Sequence, residues 1–399
     1  MQIKAQEMSS DRFKGKRVVG LIREPFIEKI PSARILVEHL AAIEMEVTIV
    51  TGVNCSYPEP SFGNGKIRFL KVKENNRRWQ LPTSLKLFFS ALRSCFRTKP
   101  DFILGIGLYG GFIGLLISKL LKRPFVFSCI ELPEKREAGV VLSYWQKLEY
   151  WLYRQADLVL VHDHFRAQFI VDQSKADGAR FVVLPNTPGG KSRRVESEML
   201  AEIFELDRKR DVILLHSGGF GAWFECDLLI QAAHDFPSNY HLVFHTNHDV
   251  TNTTFYQQHV ANHLLPEGVH FSHQPVPVDQ LDRLVSSAKI GIAFYSGEHL
   301  GHRRHYMGLA SGKIGSLLKN GIPVITSDIP TLKEYVEGYG CGVCVRSPNE
   351  LTSAVHTIMS DYDTYQANAI RCFDELWDAD RYWPTLDEKL ISLITRLDG

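Results

Sequence analysis

The sequence predicts an α/β protein built from two doubly wound parallel sheets, and three observations carry that prediction. Short apolar runs of strand character alternate with amphipathic helical runs from Arg17 to Leu184. The alternation lapses over Pro185-Asn186-Thr187-Pro188-Gly189-Gly190-Lys191, where proline, glycine and polar residues replace it, and restarts at Val212. A chain of 399 residues, 44% hydrophobic and 23% charged, has the length and apolar content for two or three domains with ordinary cores.

In the first half the expected strands are Arg17–Ile22, Val47–Val50, Ile67–Leu70, Phe102–Ile106, Phe125–Cys129, Leu158–Val161 and Phe181–Leu184. Between them lie expected helices at Ala33–Ile43, Thr83–Thr98, Gly111–Leu121, Leu142–Gln155 and Arg166–Asp172. Sequential strand-helix-strand units imply parallel pairing with right-handed crossovers. Phe102–Ser118 is free of charge but rich in glycine, and shorter than the roughly 20 residues a spanning helix needs. It reads as strand, glycine turn and buried helix.

Beyond a polar helix at Glu196–Leu206, strands are expected at Val212–His216, His241–His245, Val269–Phe271, Ile290–Phe294, Val324–Thr326 and Gly342–Val345. Helices are expected at Asp227–Asp235, Phe255–Leu264, Gln280–Ser287 and Glu350–Met359, then a helical tail from Tyr362 to Leu397 broken near Pro384. The net charge of +1 excludes a generic nucleic-acid binder. Seven scattered cysteines, odd in number, point to a reducing, cytoplasmic compartment, and Met1–Gly20 is too polar for a secretory signal.

Gly308–Asp328 has the makings of an anion site. Ser311 is a plausible N-cap, Gly312 keeps the entry open, and the free N–H groups of the helix that follows favour a phosphate. Lys313 adds a full positive charge at that end, and Gly321 stops the helix before Pro323 and a buried strand.

Several motifs together resemble a known family. These are Leu184-Pro185-Asn186, a strand ending in Ser217-Gly218-Gly219, and Lys-x7-Gly-x-Pro-Val-Ile beginning at Lys313. Lys99-Pro100-Asp101-Phe102-Ile103, Gln155-Ala156-Asp157-Leu158-Val159 and Gly340-Cys341-Gly342-Val343 agree with them. The pattern resembles the GT-B-fold glycosyltransferases, most of all the retaining, sugar-nucleotide-dependent family 4. That resemblance implies two Rossmann-like domains facing a central cleft, residues 1–190 binding acceptor and 191–375 binding donor nucleotide. A helical tail, 376–399, is free to return to the first domain. It further implies transfer of a sugar from a nucleoside diphosphate-sugar to an acceptor hydroxyl, with the donor as substrate, no permanently bound cofactor and no metal.

On that resemblance Lys313 neutralises the leaving diphosphate, with Arg303 and Arg304 as partners or as solvated loop charges. Gly218, Gly219, Ser311, Gly312 and Ser316 line the nucleotide. Trp223 and Phe220 either stack on it or pack on neighbours. Glu298 stands for the first glutamate of the family's Glu-x7-Glu motif, but the second position is Tyr306. Counted back from Gly321, the ribose-binding position is Ser316. Glu131, after the strand at Phe125, either orients the acceptor hydroxyl or is a surface glutamate like Glu134. The altered motif leaves a non-catalytic GT-B partner protein and a sugar-nucleotide epimerase as alternatives.

His162-Asp163-His164, His245 with His248, His302 with His305, and Cys341-x-x-Cys344 lack a third ligand or a second pair and are not expected to bind metal. From Arg77 to Lys99 there is no acidic residue. A helix there would set Lys86, Arg93 and Arg97 on one face and Leu85, Phe88, Phe89, Leu92 and Phe96 on the other. Such a helix is either an ordinary core-facing helix or a peripheral contact on the inner face of an anionic membrane. In the second case the acceptor is a lipid-linked saccharide, as in surface polysaccharide synthesis.

Overall fold

The computed structural model describes residues 12–23, 27, 30–53, 62–73, 80–133, 143–207 and 209–396. The chain divides into two compact units: one runs up to Gly189 and resumes at Ala379, the other spans Gly190–Asp378.

In the first unit β1 (Arg17–Ile22), β2 (Glu46–Val53), β3 (Ile67–Lys73), β4 (Phe102–Ile106), β5 (Phe125–Ser128), β6 (Leu158–Val161) and β7 (Phe181–Val183) form one sheet. Its order is β3-β2-β1-β4-β5-β6-β7 and every pairing is parallel. The crossovers carry α1 (Pro31–Ala42), α2 (Gln80–Thr98), α3 (Gly107–Leu121), α4 (Tyr144–Gln155) and α5 (His164–Ser174). Sequence order along the sheet reverses between β1 and β4, the signature of a doubly wound fold.

The glycine-rich run resolves as β4 and α3, the helix starting four residues earlier than expected. Its glycines let helix and sheet touch. A Cβ on Gly110 would lie 2.3 Å from the Leu21 carbonyl oxygen, and one on Gly105 would lie 2.7 Å from the Gly111 Cα. Among the described residues no helix is long and apolar enough to cross a membrane.

Asp163 is fully buried and caps α5, accepting from the N–H groups of Phe165 at 2.8 Å and Arg166 at 3.1 Å. His162, beside it, bonds to Ser32 Oγ at 3.1 Å; burial first, and then the Arg166 charge, hold it neutral. α4 opens on a capping box between Ser143 and Gln146. Arg77, Cys55, Glu134 and the expected helix start at Leu142 lie outside the described residues.

α2 departs from the expected pattern. Its buried stripe is Leu87, Ala91, Ser94 and Cys95, whereas Leu85, Phe89 and Phe96 are more than half exposed, on the same side as Lys86, Arg93 and Arg97. The periodicity of the large apolar residues marked a stripe, but the small and medium residues fit the sheet more closely.

In the second unit β8 (Val212–Ser217), β9 (Tyr240–His245), β10 (Val269–Ser272), β11 (Ile290–Ala293), β12 (Val324–Ser327) and β13 (Gly342–Val345) form a second all-parallel sheet, order β10-β9-β8-β11-β12-β13. The helices are α6 (Met199–Phe204), α7 (Cys226–Ala232), α8 (Thr254–His259), α9 (Leu281–Ser286), α10 (Gly297–Leu300), α11 (Gly312–Lys319), α12 (Pro330–Leu332), α13 (Leu351–Ser360) and α14 (Tyr362–Cys372). α6 and α8 are shorter than their patterns suggest; the residues beyond α8 include Leu264, 85% exposed, so no core rewards a longer helix there.

Two absent side chains let α11 pack closely, on the sheet on one side and on Trp377 on the other. A Cβ on Gly291 of β11 would lie 2.4 Å from Leu317 Cδ1, and one on Gly315 would lie 2.6 Å from the Trp377 ring. Gly321, at φ +68°, turns the chain out of the helix, a conformation cheap only for glycine.

The last helix, α15 (Trp383–Thr395), packs in the first unit. Leu386, Leu390, Leu393 and Ile394 join the core of α1 and the β1 to β6 strands. His39 Nε2 lies 2.8 Å from Asp387 Oδ1 and the His39 ring stacks on Trp383 at 4.1 Å. Pro384 does not break this helix; it sits in the first turn, where its missing N–H costs nothing, and the interruption falls upstream of Trp383.

Candidate functional site

β8 and β11 are neighbours at the point where the strand order of the second sheet reverses, and the chains leaving their carboxyl ends meet there. Gly218 (φ +122°) and Gly219 follow β8, then a short turn at Ala222–Phe224, then Glu225 in the left-handed region (φ 53°) before α7. From β11 come Tyr295 and Ser296, α10, and a 3-10 segment at Gly301–Tyr306 that carries Arg303 and Arg304. Ser311 caps α11: its Oγ accepts from the Ile314 N–H at 3.1 Å and bonds the buried Tyr295 hydroxyl.

Lys313 lies one residue into α11 with its ammonium in an apolar box. Nζ is 3.1 Å from His216 Nε2 and 3.9 Å from the Phe224 ring centroid, and its Cε sits 3.5 Å from where a Gly218 Cβ would be. Burial lowers its pKa from 10.5 to about 8. Among the described residues Lys313 forms no ion pair.

His216 is fully buried at the end of β8. Burial, and then the Lys313 charge, push its pKa well below the usual histidine value, so the ring is neutral. Its Nε2 is also 2.9 Å from the Gly219 carbonyl oxygen, while Nδ1 is buried without a hydrogen-bond partner. The two bonds at Nε2 exclude one another. A proton there donates to Gly219; a proton on Nδ1 leaves Nε2 to accept from Lys313. Cys226 lies 3.9 Å away, and burial pushes its thiol up to about 12, so it is no nucleophile at neutral pH.

The other expected site residues divide. Gly218, Gly219, Ser311 and Gly312 surround the Lys313 cluster, and Ser316 is one turn further along α11, half-buried, its carbonyl accepting from Asn320 Nδ2 at 2.9 Å. Trp223 is 50% exposed beside the cluster, its carbonyl accepting from the Ser296 N–H at 3.0 Å. Phe220 packs edge-on to Phe244, Phe255 and Phe271 at 5.2–5.8 Å between centroids. Glu298 is exposed on α10. Arg304 acts electrostatically on Glu225, opposing the upward shift that burial gives that carboxyl group, and Arg303 is half-buried in the same 3-10 segment. Glu131 belongs to the first unit, exposed after β5, where its carbonyl accepts from Cys129 Sγ at 3.0 Å.

Sequence reasoning missed His216, Tyr295 and Glu225. A histidine ending a central strand directly before a glycine turn was the available signal for the first.

Two family models match the chain: a glycosyl transferase 4-like domain over residues 31–187 and a glucosyltransferase 3-like C-terminal domain over residues 232–379. Among solved structures the fold is similar to sucrose-phosphate synthase from Thermosynechococcus elongatus, with 15% identity, TM-score 0.71, and 96% of this chain and 99% of that one covered. It is also similar to Anabaena HepE in complex with UDP-glucose, at 13% identity and TM-score 0.66, covering 95% and 99%. An E. coli trehalose-6-phosphate structure bound with UDP-2-fluoro glucose shares 11% identity at TM-score 0.65, covering 94% and 99%. A sequence search of curated proteins finds no match. Both halves thus match glycosyltransferase domains and both sheets have the matching architecture: the chain belongs to the glycosyltransferases of the GT-B fold.

Proposed function

We propose that the second unit holds a UDP-sugar and that the enzyme transfers its glycosyl group to an acceptor hydroxyl bound by the first unit, with retention at the anomeric carbon. The observation that carries this reading is a half-buried, charged lysine that forms no ion pair among the described residues, set at a capped helix N-terminus on the switch point of the sheet. Such a charge calls for an anionic ligand, and a diphosphate supplies it. The Anabaena and E. coli neighbours, solved with UDP-glucose and UDP-2-fluoro glucose, support uracil as the base.

In this scheme the bond from the anomeric carbon to the phosphate oxygen breaks and the acceptor oxygen bonds that carbon. UDP leaves with the electron pair, and the proton of the acceptor hydroxyl passes to the departing phosphate oxygen. Lys313 and the first-turn N–H groups of α11 stabilise the charge that develops on the phosphate. Gly218 and Gly219 let the backbone approach it, Arg303 and Arg304 flank it, and Ser316 and Glu298 stand toward the ribose and sugar. Trp223, half exposed, offers a stacking face, and Glu131 takes the acceptor side. The exposed apolar and basic face of α2 supports a lipid-linked saccharide as acceptor, in surface polysaccharide assembly at the inner face of a membrane.

Calorimetric titration with UDP and GDP tests the donor site. Binding of UDP in preference to GDP is expected; no binding of either at millimolar concentration would remove the basis for the proposal. Incubation with UDP-sugar alone separates transfer from epimerisation, since an epimerase rearranges the sugar nucleotide without an acceptor.

A further inference from the structure

α2, α3 and α4 lie side by side in the first unit, α2 packing on α3 and α3 on α4. Their outer faces carry an unusual amount of exposed apolar surface: Phe89 and Phe96 on α2, Leu116 and Leu120 on α3, Tyr144 and Trp145 on α4, all between 55% and 69% exposed. Side chains of this size scattered singly over a surface are normal, but a run across three adjacent helices marks an interaction face.

The charge on this face has one sign. Across the three helices there are six lysines and arginines and a single acid, Glu149, in a chain whose totals are 46 and 45. Lys86, Arg93, Arg97, Lys119 and Lys147 are exposed among the apolar residues. At the end of α3 the face runs into a cavity of about 330 Å³ lined by Lys119, Lys122, Arg123 and Arg396. Its one carboxylate, Asp157, is engaged by the Phe125 N–H at 2.8 Å.

We propose that this three-helix face docks the first unit on an anionic phospholipid bilayer. Aromatic and leucine side chains enter the headgroup boundary, basic side chains meet lipid phosphates, and the cavity at the end of α3 takes a headgroup. The charge argues for this occupant: a neutral protein partner or a second copy of the chain would not require a nearly acid-free face. The inference deepens the lipid-linked acceptor proposed above, but its evidence is the surface of the first unit alone.

The test is cosedimentation of the full chain with vesicles of phosphatidylglycerol and phosphatidylcholine and with phosphatidylcholine alone, at two salt concentrations. Binding to the anionic vesicles, weakened by salt and weak on neutral ones, is expected. Each of Arg93→Gln and Lys119→Gln should weaken it about fivefold, the scale of one basic side chain at a charged surface. Phe89→Glu with Trp145→Glu should abolish it while UDP binding, read on the same preparations, stays unchanged. Absence of binding by the unaltered chain, or variants that bind as it does, would overturn the proposal. So would a dimer in sedimentation that the Phe89→Glu, Trp145→Glu variant dissociates, because the face would then belong to a second copy. Failure to bind UDP would strike at the donor reading and leave vesicle binding as a separate result.

Discussion

Replacing Lys313 by methionine should weaken the donor and strengthen the fold, and the two effects share one cause. The folded protein holds the Lys313 proton at a pKa of about 8, against 10.5 for an unperturbed lysine, because burial disfavours the charge. The folded state therefore binds this proton less tightly than the unfolded one. Stability rises with pH through the window from about 8 to 10.5, and at pH 7 the charged side chain costs of order 2–3 kcal/mol, allowing for its partial exposure. Lys313→Met removes that cost, so the variant should melt higher at pH 7 and show a flat stability profile from pH 8 to 10. UDP affinity should fall by about 1–3 kcal/mol, the worth of a charge-assisted hydrogen bond to phosphate. The same logic makes UDP affinity of the unaltered enzyme decline as pH rises above 8. Thermal denaturation and calorimetry with UDP at pH 7 and 9.5 measure both. A folded variant with unchanged UDP affinity would refute the site, and one that melts lower at pH 7 would refute the account of the buried charge.

The His216 ring, neutral through burial and the Lys313 charge, should show no titration between pH 6 and 8 in ring carbon NMR shifts. Ser311→Ala removes the cap of α11 and the partner of Tyr295, and should lower stability in urea by about 1–2 kcal/mol. Gly110→Ala drives a methyl group into the Leu21 carbonyl and should cost about 3 kcal/mol or more in the same assay, since that contact is with backbone and cannot be relieved by a rotamer change. Asp387→Ala leaves half-buried His39 without its 2.8 Å partner and should destabilise the attachment of α15 by about 1–3 kcal/mol.

Much of the architecture is legible in the sequence. Strand-length apolar runs separated by helix-length amphipathic ones, as from Arg17 to Leu184, admit little but parallel pairing with helical crossovers, and the Pro185–Lys191 lapse marks a break because it removes the apolar periodicity itself. The capped helix entry at Ser311–Lys313 was equally local: cap, glycine and charge sit within three residues, and the cap bond is observed. Local chemistry written in neighbouring residues survives folding unchanged.

What tertiary structure decided is a matter of which groups far apart in the chain come together. His216 and Lys313 are 97 positions apart, yet they meet at 3.1 Å because β8 and β11 adjoin at the switch point, and no spacing in the sequence encodes that distance. Phe220 and Trp223 were equivalent loop aromatics until Phe244, Phe255 and Phe271 enclosed one ring and left the other half exposed. On α2, periodicity showed that two faces exist but not which one meets the sheet. Close packing chose Leu87, Ala91 and Cys95 for the interior and left Phe89 and Phe96 outside beside the basic residues, since the depth available above a strand depends on side chains from other parts of the chain.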